Sequence, residues 1–217
     1  MSSLVNQLEE FASSLKATMS VFEAYDEGHD YPWVNHLWRG PSVRRAHLDI
    51  VDARETSKLY MMHLCIFPHV NDPSPVFGFD LIAGPKKVTG AFHDFSPIAG
   101  GTELDTYFAD RSAIKHWSKE RQLPDWAKQI FSPSMVAAGN IQDPDELSDL
   151  LTFATENLRG YLAGVGKTGP DDYTTKQNHY CHWQKQNPHT PRVMAALGFE
   201  PEVVHEFISE CLFPEIK

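Results

Sequence analysis

Several ionisable side chains in this sequence stand where apolar ones are expected. Val43–Asp52, Leu59–Phe67 and Val76–Ala83 are strand-length stretches rich in Val, Ile, Leu, Phe and Met. They carry His47 and Asp49, His63, and Asp80 respectively. A carboxylate or imidazolium among apolar neighbours is costly unless it is paired, hydrogen-bonded or kept neutral. A single strand histidine is most often a hydrogen-bonded core residue, and a single aspartate a turn or edge group. Three consecutive strands that each carry such a group are harder to explain that way. Histidines and carboxylates held together with shifted pKa values are suited to giving and taking protons during a reaction. The same set contains two histidines and a carboxylate, His47, Asp49 and His63, which together could hold a divalent metal ion. That second chemistry ranks lower, because it needs a strand register that the sequence alone does not fix.

The elements that position these groups follow from patterning. Side chains alternate across a strand, so His47 and Asp49 share one face while Ala46, Leu48 and Ile50 take the other. His63 shares a face with Met61, Cys65 and Phe67, and Asp80 with Gly78 and Ile82. A fourth strand, Lys87–Phe95, brings His93 and Asp94 near its end. Glu55-Thr56-Ser57, the proline-rich stretch 68–75 and Gly84-Pro85-Lys86 punctuate the series. Connections this short, without helical periodicity, imply an antiparallel meander. Helical patterns flank it. Leu4, Leu8, Phe11 and Leu15 line one face of 1–19, and Asp143-Pro144 opens a helix through Leu147, Leu150, Leu151 and Leu158. Shorter helical pieces are expected at Asp172–Gln186, Pro191–Leu197 and Pro201–Leu212, whereas Phe22–Trp38 reads as loop or short strand. The expectation is an α/β fold, a three-layer α/β/α sandwich with a central antiparallel sheet. No repeat or linker divides 1–217, which reads as one domain.

Composition removes several classes of function. A net charge of −10 disfavours nucleic acid as a partner. No apolar run approaches a membrane span, and no signal-peptide core opens the chain. Cys65, Cys181 and Cys211 are odd in number and form no CxxC pair, which suggests neither a disulfide framework nor a zinc or iron–sulfur site. A reducing cytoplasm is the expected location.

The motifs that carry the ionisable groups also carry a resemblance. Val43-Arg44-Arg45-Ala46-His47-Leu48-Asp49, Met62-His63-Leu64-Cys65-Ile66-Phe67-Pro68, Val76 through Pro85, and Asp94-Phe95-Ser96-Pro97 resemble successive motifs of the ferredoxin-dependent bilin reductases. The nearest branch is the phycocyanobilin:ferredoxin oxidoreductases. His179-Tyr180-Cys181 and Thr190-Pro191-Arg192-Val193 extend the likeness more loosely towards the C-terminus. The resemblance implies an α/β/α sandwich with the bilin between the sheet and the C-terminal helices. It implies no metal and no bound cofactor: electrons come singly from reduced ferredoxin, an iron–sulfur protein, and biliverdin IXα is the substrate. Asp80 would be the central acid, His63 its partner in the proton network and His47 a supporting histidine. Ser96 and Arg192 would meet the propionates, with Phe79 and Asn187 as further substrate contacts.

Two departures bear on the product. Where the resembling branch carries a glutamate that serves reduction of the D-ring vinyl group, this chain has Asp49. A carboxylate one methylene shorter sits about an ångström further away, and proton transfer is steep in distance. Asn187-Pro188 occupies the place of an aspartate that several members carry. Phycoerythrobilin is therefore the expected product. Phycocyanobilin formation, a non-catalytic bilin carrier and a metal-dependent hydrolase are the alternatives. Ferredoxin is itself acidic, so its docking needs local cations: Lys86 and Lys87, then Lys115, Lys119, Arg121 and Lys128.

Overall fold

The computed structural model describes residues 3–217; Met1 and Ser2, which the first expected helix included, lie outside the described residues. Helix α1 (Leu4–Met19) begins at Ser3, whose hydroxyl accepts from the Asn6 amide, and buries Leu8, Phe11, Leu15 and Met19. Seven strands follow: β1 (Glu23–Tyr25), β2 (Val34–Arg39), β3 (Arg45–Ala53), β4 (Leu59–Phe67), β5 (Val76–Ala83), β6 (Val88–Ser96) and β7 (Val136–Ala138). They form one sheet in sequence order, every neighbouring pair antiparallel. Helix α2 (Glu103–Ala113) intervenes before β7, and α3 (Pro144–Gly164), α4 (Thr174–Gln184), α5 (His189–Ala196) and α6 (Pro201–Glu206) complete the chain.

Alternation sorts the sheet into two faces. Ala46, Leu48, Met62, Leu64, Phe77, Phe79 and Leu81 point into a large core shared with α1, α2 and α3. The opposite face carries Cys65, Phe67 and Val76 against Tyr180, Met194, Phe207, Cys211 and Phe213 of the C-terminal segments. The result is the expected α/β/α sandwich. At ~25 cal/mol per Å² of apolar area removed from water, two such cores supply most of the favourable folding energy.

Strands β3 to β6 coincide with the expected ones to within two residues. The stretch expected as loop or short strand holds β1 and β2, and β2 runs a full six residues, with Asn35, His36 and Arg39 breaking the apolar alternation. The last helix is α-helical only to Glu206. Phe207–Leu212 is π-helical, with the Phe213 amide donating to the Ile208 carbonyl at 3.0 Å. This wider turn accompanies a Cys211 carbonyl that accepts from Arg45 Nη2 at 2.5 Å.

Candidate functional site

Strand register assembles the site. Asn35 pairs with Asp49, Asp49 with His63, His63 with Asp80, and Asp80 with Phe92, so five strands contribute one side chain each to a single row on one face. The adjacent row is Leu37, His47, Cys65, Gly78 and Asp94. Directly opposed residues in an antiparallel sheet lie within side-chain reach. All four expected catalytic residues, Asp80, His63, Asp49 and His47, thus come together. The face is unevenly covered. Cys65, Phe67, Val76 and Ser96 are buried under the C-terminal layer, whereas Met61, His63, Gly78, Asp80, Ile82 and Phe92 are partly exposed. Asp80 and His63 therefore stand where the cover ends.

Hydrogen bonds set the order within the row. His63 Nδ1 donates to Asp49 Oδ1 at 3.2 Å. His47 Nε2 hydrogen-bonds to Asn35 Oδ1, and Cys211 Sγ lies 3.5 Å from the same oxygen. With Nε2 donating, His47 Nδ1 is an acceptor; it is buried, has no hydrogen-bond partner among the described residues, and lies 3.9 Å from Asp49 Oδ1. Ligand atoms of His47, Asp49 and His63 all fall within 4.8 Å of one another, so the register that the metal reading required is present.

Electrostatics divides these groups by role. Burial pushes the Asp80 carboxyl up to about 6; the Asp49 charge adds to this and His63 opposes it. Burial works against charge on His63, but the Asp49 hydrogen bond and the charges of Asp49 and Asp80 outweigh it, and its pKa is raised. His47 is held well below the usual imidazole range by burial, with His63 and Arg45 adding to the effect, so it is neutral. A raised acid beside a raised base on a partly exposed face is an arrangement that can donate a proton and be recharged near neutral pH.

The expected substrate contacts are dispersed. Phe79, expected as a substrate contact, lies on the opposite face from Asp80, its ring 5.1 Å from that of Phe11, in the core shared with α1. Adjacent residues of one strand point apart. Ser96 does face the site side, but it is fully buried and its hydroxyl donates to Asp94 Oδ2 at 2.8 Å. Asn187 Oδ1 accepts from the His189 amide at 2.9 Å at the start of α5, and Arg192 is exposed on that helix.

Other residues near the site had no role assigned from the sequence. Asn35 sits in a stretch whose strand was not evident, and nothing in its neighbourhood marks its pairing with His47. Asp94 is buried and pushed up to about 6 by that burial, against hydrogen bonds from Ser132 and Ser96. Arg45, beside His47, is buried and joins Tyr25, Glu27 and the Cys211 carbonyl. Its position on the His47 face of β3 was the available signal.

A meander sandwich with a row of histidine and aspartate side chains at the open end of one face defines a site suited to proton transfer. The model of the ferredoxin-dependent bilin reductase family matches residues 2–214, and the chain belongs to that family of enzymes. It is 29% identical to the phycocyanobilin:ferredoxin oxidoreductase of Prochlorococcus marinus MIT 9313, covering 96% of this chain and 80% of the relative. It is 32% identical to the protein of that name from Synechococcus sp. CC9902, covering 82% and 74%. A solved structure named PcyX is similar at 32% identity and TM-score 0.69, with 99% of each chain covered. The fold is also that of tomato phytochromobilin synthase, solved in complex with biliverdin, at TM-score 0.71, 14% identity and coverage of 94% and 82%.

Proposed function

We propose that this enzyme reduces biliverdin IXα to phycoerythrobilin, taking four electrons singly from reduced ferredoxin and adding four protons. The observation that carries the proton chemistry is the row Asp49–His63–Asp80, with Asp80 raised to about 6 on a partly exposed face. On this reading Asp80 donates a proton to the bilin after electron arrival and regains one through His63, whose ring Asp49 orients. His47, neutral and fixed by Asn35, offers its free Nδ1 as an acceptor within the same cluster. Arg192, exposed on α5, is proposed to take a propionate, since an Arg fork suits a carboxylate.

The product assignment rests on Asp49. Its short carboxylate is drawn back to His63, which favours reduction elsewhere on the bilin over the D-ring vinyl group. The test is anaerobic reaction of biliverdin with reduced ferredoxin, followed by chromatography against phycoerythrobilin and phycocyanobilin. Phycocyanobilin as main product rejects the assignment, and a coloured complex that never turns over rejects catalysis. The His47, Asp49 and His63 cluster keeps a metal reading in second place. A chelator leaves the ferredoxin-driven rate unchanged on the favoured reading and abolishes it on the other.

A further inference from the structure

Six cations stood out as candidates to attract an acidic partner, and the structure sorts them. Lys115 is paired with Asp149 at 2.6 Å and Lys128 with Asp125 at 2.8 Å. Lys86, Lys87, Lys119 and Arg121 have no carboxylate within ion-pair distance among the described residues. These four are also brought together. Lys86 and Lys87 occupy the β5–β6 turn, and Lys87 Nζ donates to Asn140 Oδ1 at 2.9 Å. The Gly139 amide donates to the Lys119 carbonyl at 2.8 Å, and the Arg121 amide to the Ala137 carbonyl at 2.7 Å, which lays 119–121 along β7. Arg121 Nη2 then reaches back to the Thr89 carbonyl at 2.6 Å. Glu120, Asp143 and Glu146 are nearby acids, and the Glu146 carboxylate is already held by the Ser118 amide and hydroxyl.

The position of this cluster matters as much as its charge. Arg121 lies over the Phe92 ring at 6.0 Å, and Phe92 is the cross-strand neighbour of Asp80. The cationic edge therefore adjoins the end of the sheet face that the C-terminal layer leaves open. Elsewhere many cations are neutralised in pairs, such as Arg39 with Glu23, Arg54 with Glu9 and Asp52, and Lys167 with Glu103. On a chain of net charge −10, an unpaired local cluster is where an acidic protein meets least repulsion.

We propose that reduced ferredoxin docks on this edge, Lys86, Lys87, Lys119 and Arg121, beside the open end of the site. The proposal rests on the reading of the enzyme as a bilin reductase. Electrons then enter next to Phe92 and Asp80, on the side from which the bilin is accessible.

Zero-length carbodiimide coupling of the unmodified protein to oxidised ferredoxin, read by mass spectrometry, tests it without any variant. Ferredoxin carboxylates are expected to couple to Lys86, Lys87 and Lys119, with loss of coupling at high salt. Coupling confined to lysines such as Lys58, Lys167 or Lys176 overturns the proposal. The Lys86→Glu/Lys119→Glu variant is expected to raise the KM for ferredoxin about tenfold at low salt, a difference that shrinks as ions screen the patch. Its biliverdin spectrum and its reduction of biliverdin by dithionite stay as in the unmodified enzyme. An unchanged ferredoxin KM overturns the docking site. Should neither reductant drive turnover in the unmodified protein, the catalytic reading fails, while the coupling map still decides where ferredoxin sits.

Discussion

A carboxyl held among apolar side chains gives up its proton reluctantly, and Asp80 combines that reluctance with a histidine of raised pKa one strand away. Asp80→Asn keeps shape and hydrogen bonding but removes the exchangeable proton, so biliverdin binding persists and turnover falls at least about a hundredfold. Normal turnover in that variant removes Asp80 from the mechanism. The His63 charge lowers the Asp80 pKa, so His63→Gln moves it further above its value of about 6. The midpoint of a pH titration of the bilin complex shifts upward in this variant; an unmoved or lowered midpoint shows that the two do not share a network. Asp49→Glu restores the longer carboxylate and diverts product towards phycocyanobilin, as chromatography would detect. The residue types of this site were legible because ionisable groups interrupt apolar strands. Their pairing partners were not: Asn35 and the Cys211 carbonyl meet the site only through folding.

At the scale of elements, strong alternation and clear turn residues made β3 to β6 readable. β2 was obscured because three polar side chains sit on a strand paired on both sides. β7 is three residues of small apolar type, too short to carry a period. α2 buries only Leu104 and Phe108, so its amphipathic stripe is faint, and its capping box on Thr102 and Asp105 was the better signal. The C-terminal layer depends on a side chain rather than on pattern. Arg45 spans from β3 to Tyr25 and Glu27 on one side and to the π-helical Cys211 carbonyl on the other. Arg45→Met fills the volume but strands these partners, and it is expected to destabilise by about 3 kcal/mol in urea unfolding. A change under about 0.5 kcal/mol would mean that the C-terminal layer is held by its apolar contacts alone.

For the molecule as a whole, buried titratable groups oppose one another across the acid range. Asp80 and Asp94 are both raised from 3.8 to about 6, so the folded state holds their protons more tightly than the unfolded chain does. Their contribution is complete below about 4 and is lost as pH rises through about 6. His93 is lowered from 6.5 to about 4 by burial, and His47 is also lowered. Their contribution has the opposite sign: it is present above about 6.5 and is lost as pH falls through the folded value. At roughly 1.4 kcal/mol per pKa unit, Asp80, Asp94 and His93 each correspond to about 3 kcal/mol. The raised carboxyls and the lowered histidines thus oppose one another between about pH 4 and 6.5, which damps the change in melting temperature across that window. Asp80→Asn removes one of the two carboxyl contributions and leaves both histidines. Its melting temperature should exceed that of the unmodified protein near pH 7 and fall as pH drops towards 4.5. Melting curves of both proteins at half-unit pH intervals decide the matter. Parallel profiles would show that Asp80 titrates alike in the folded and unfolded chain, and with that the raised acid at the centre of the row would be gone.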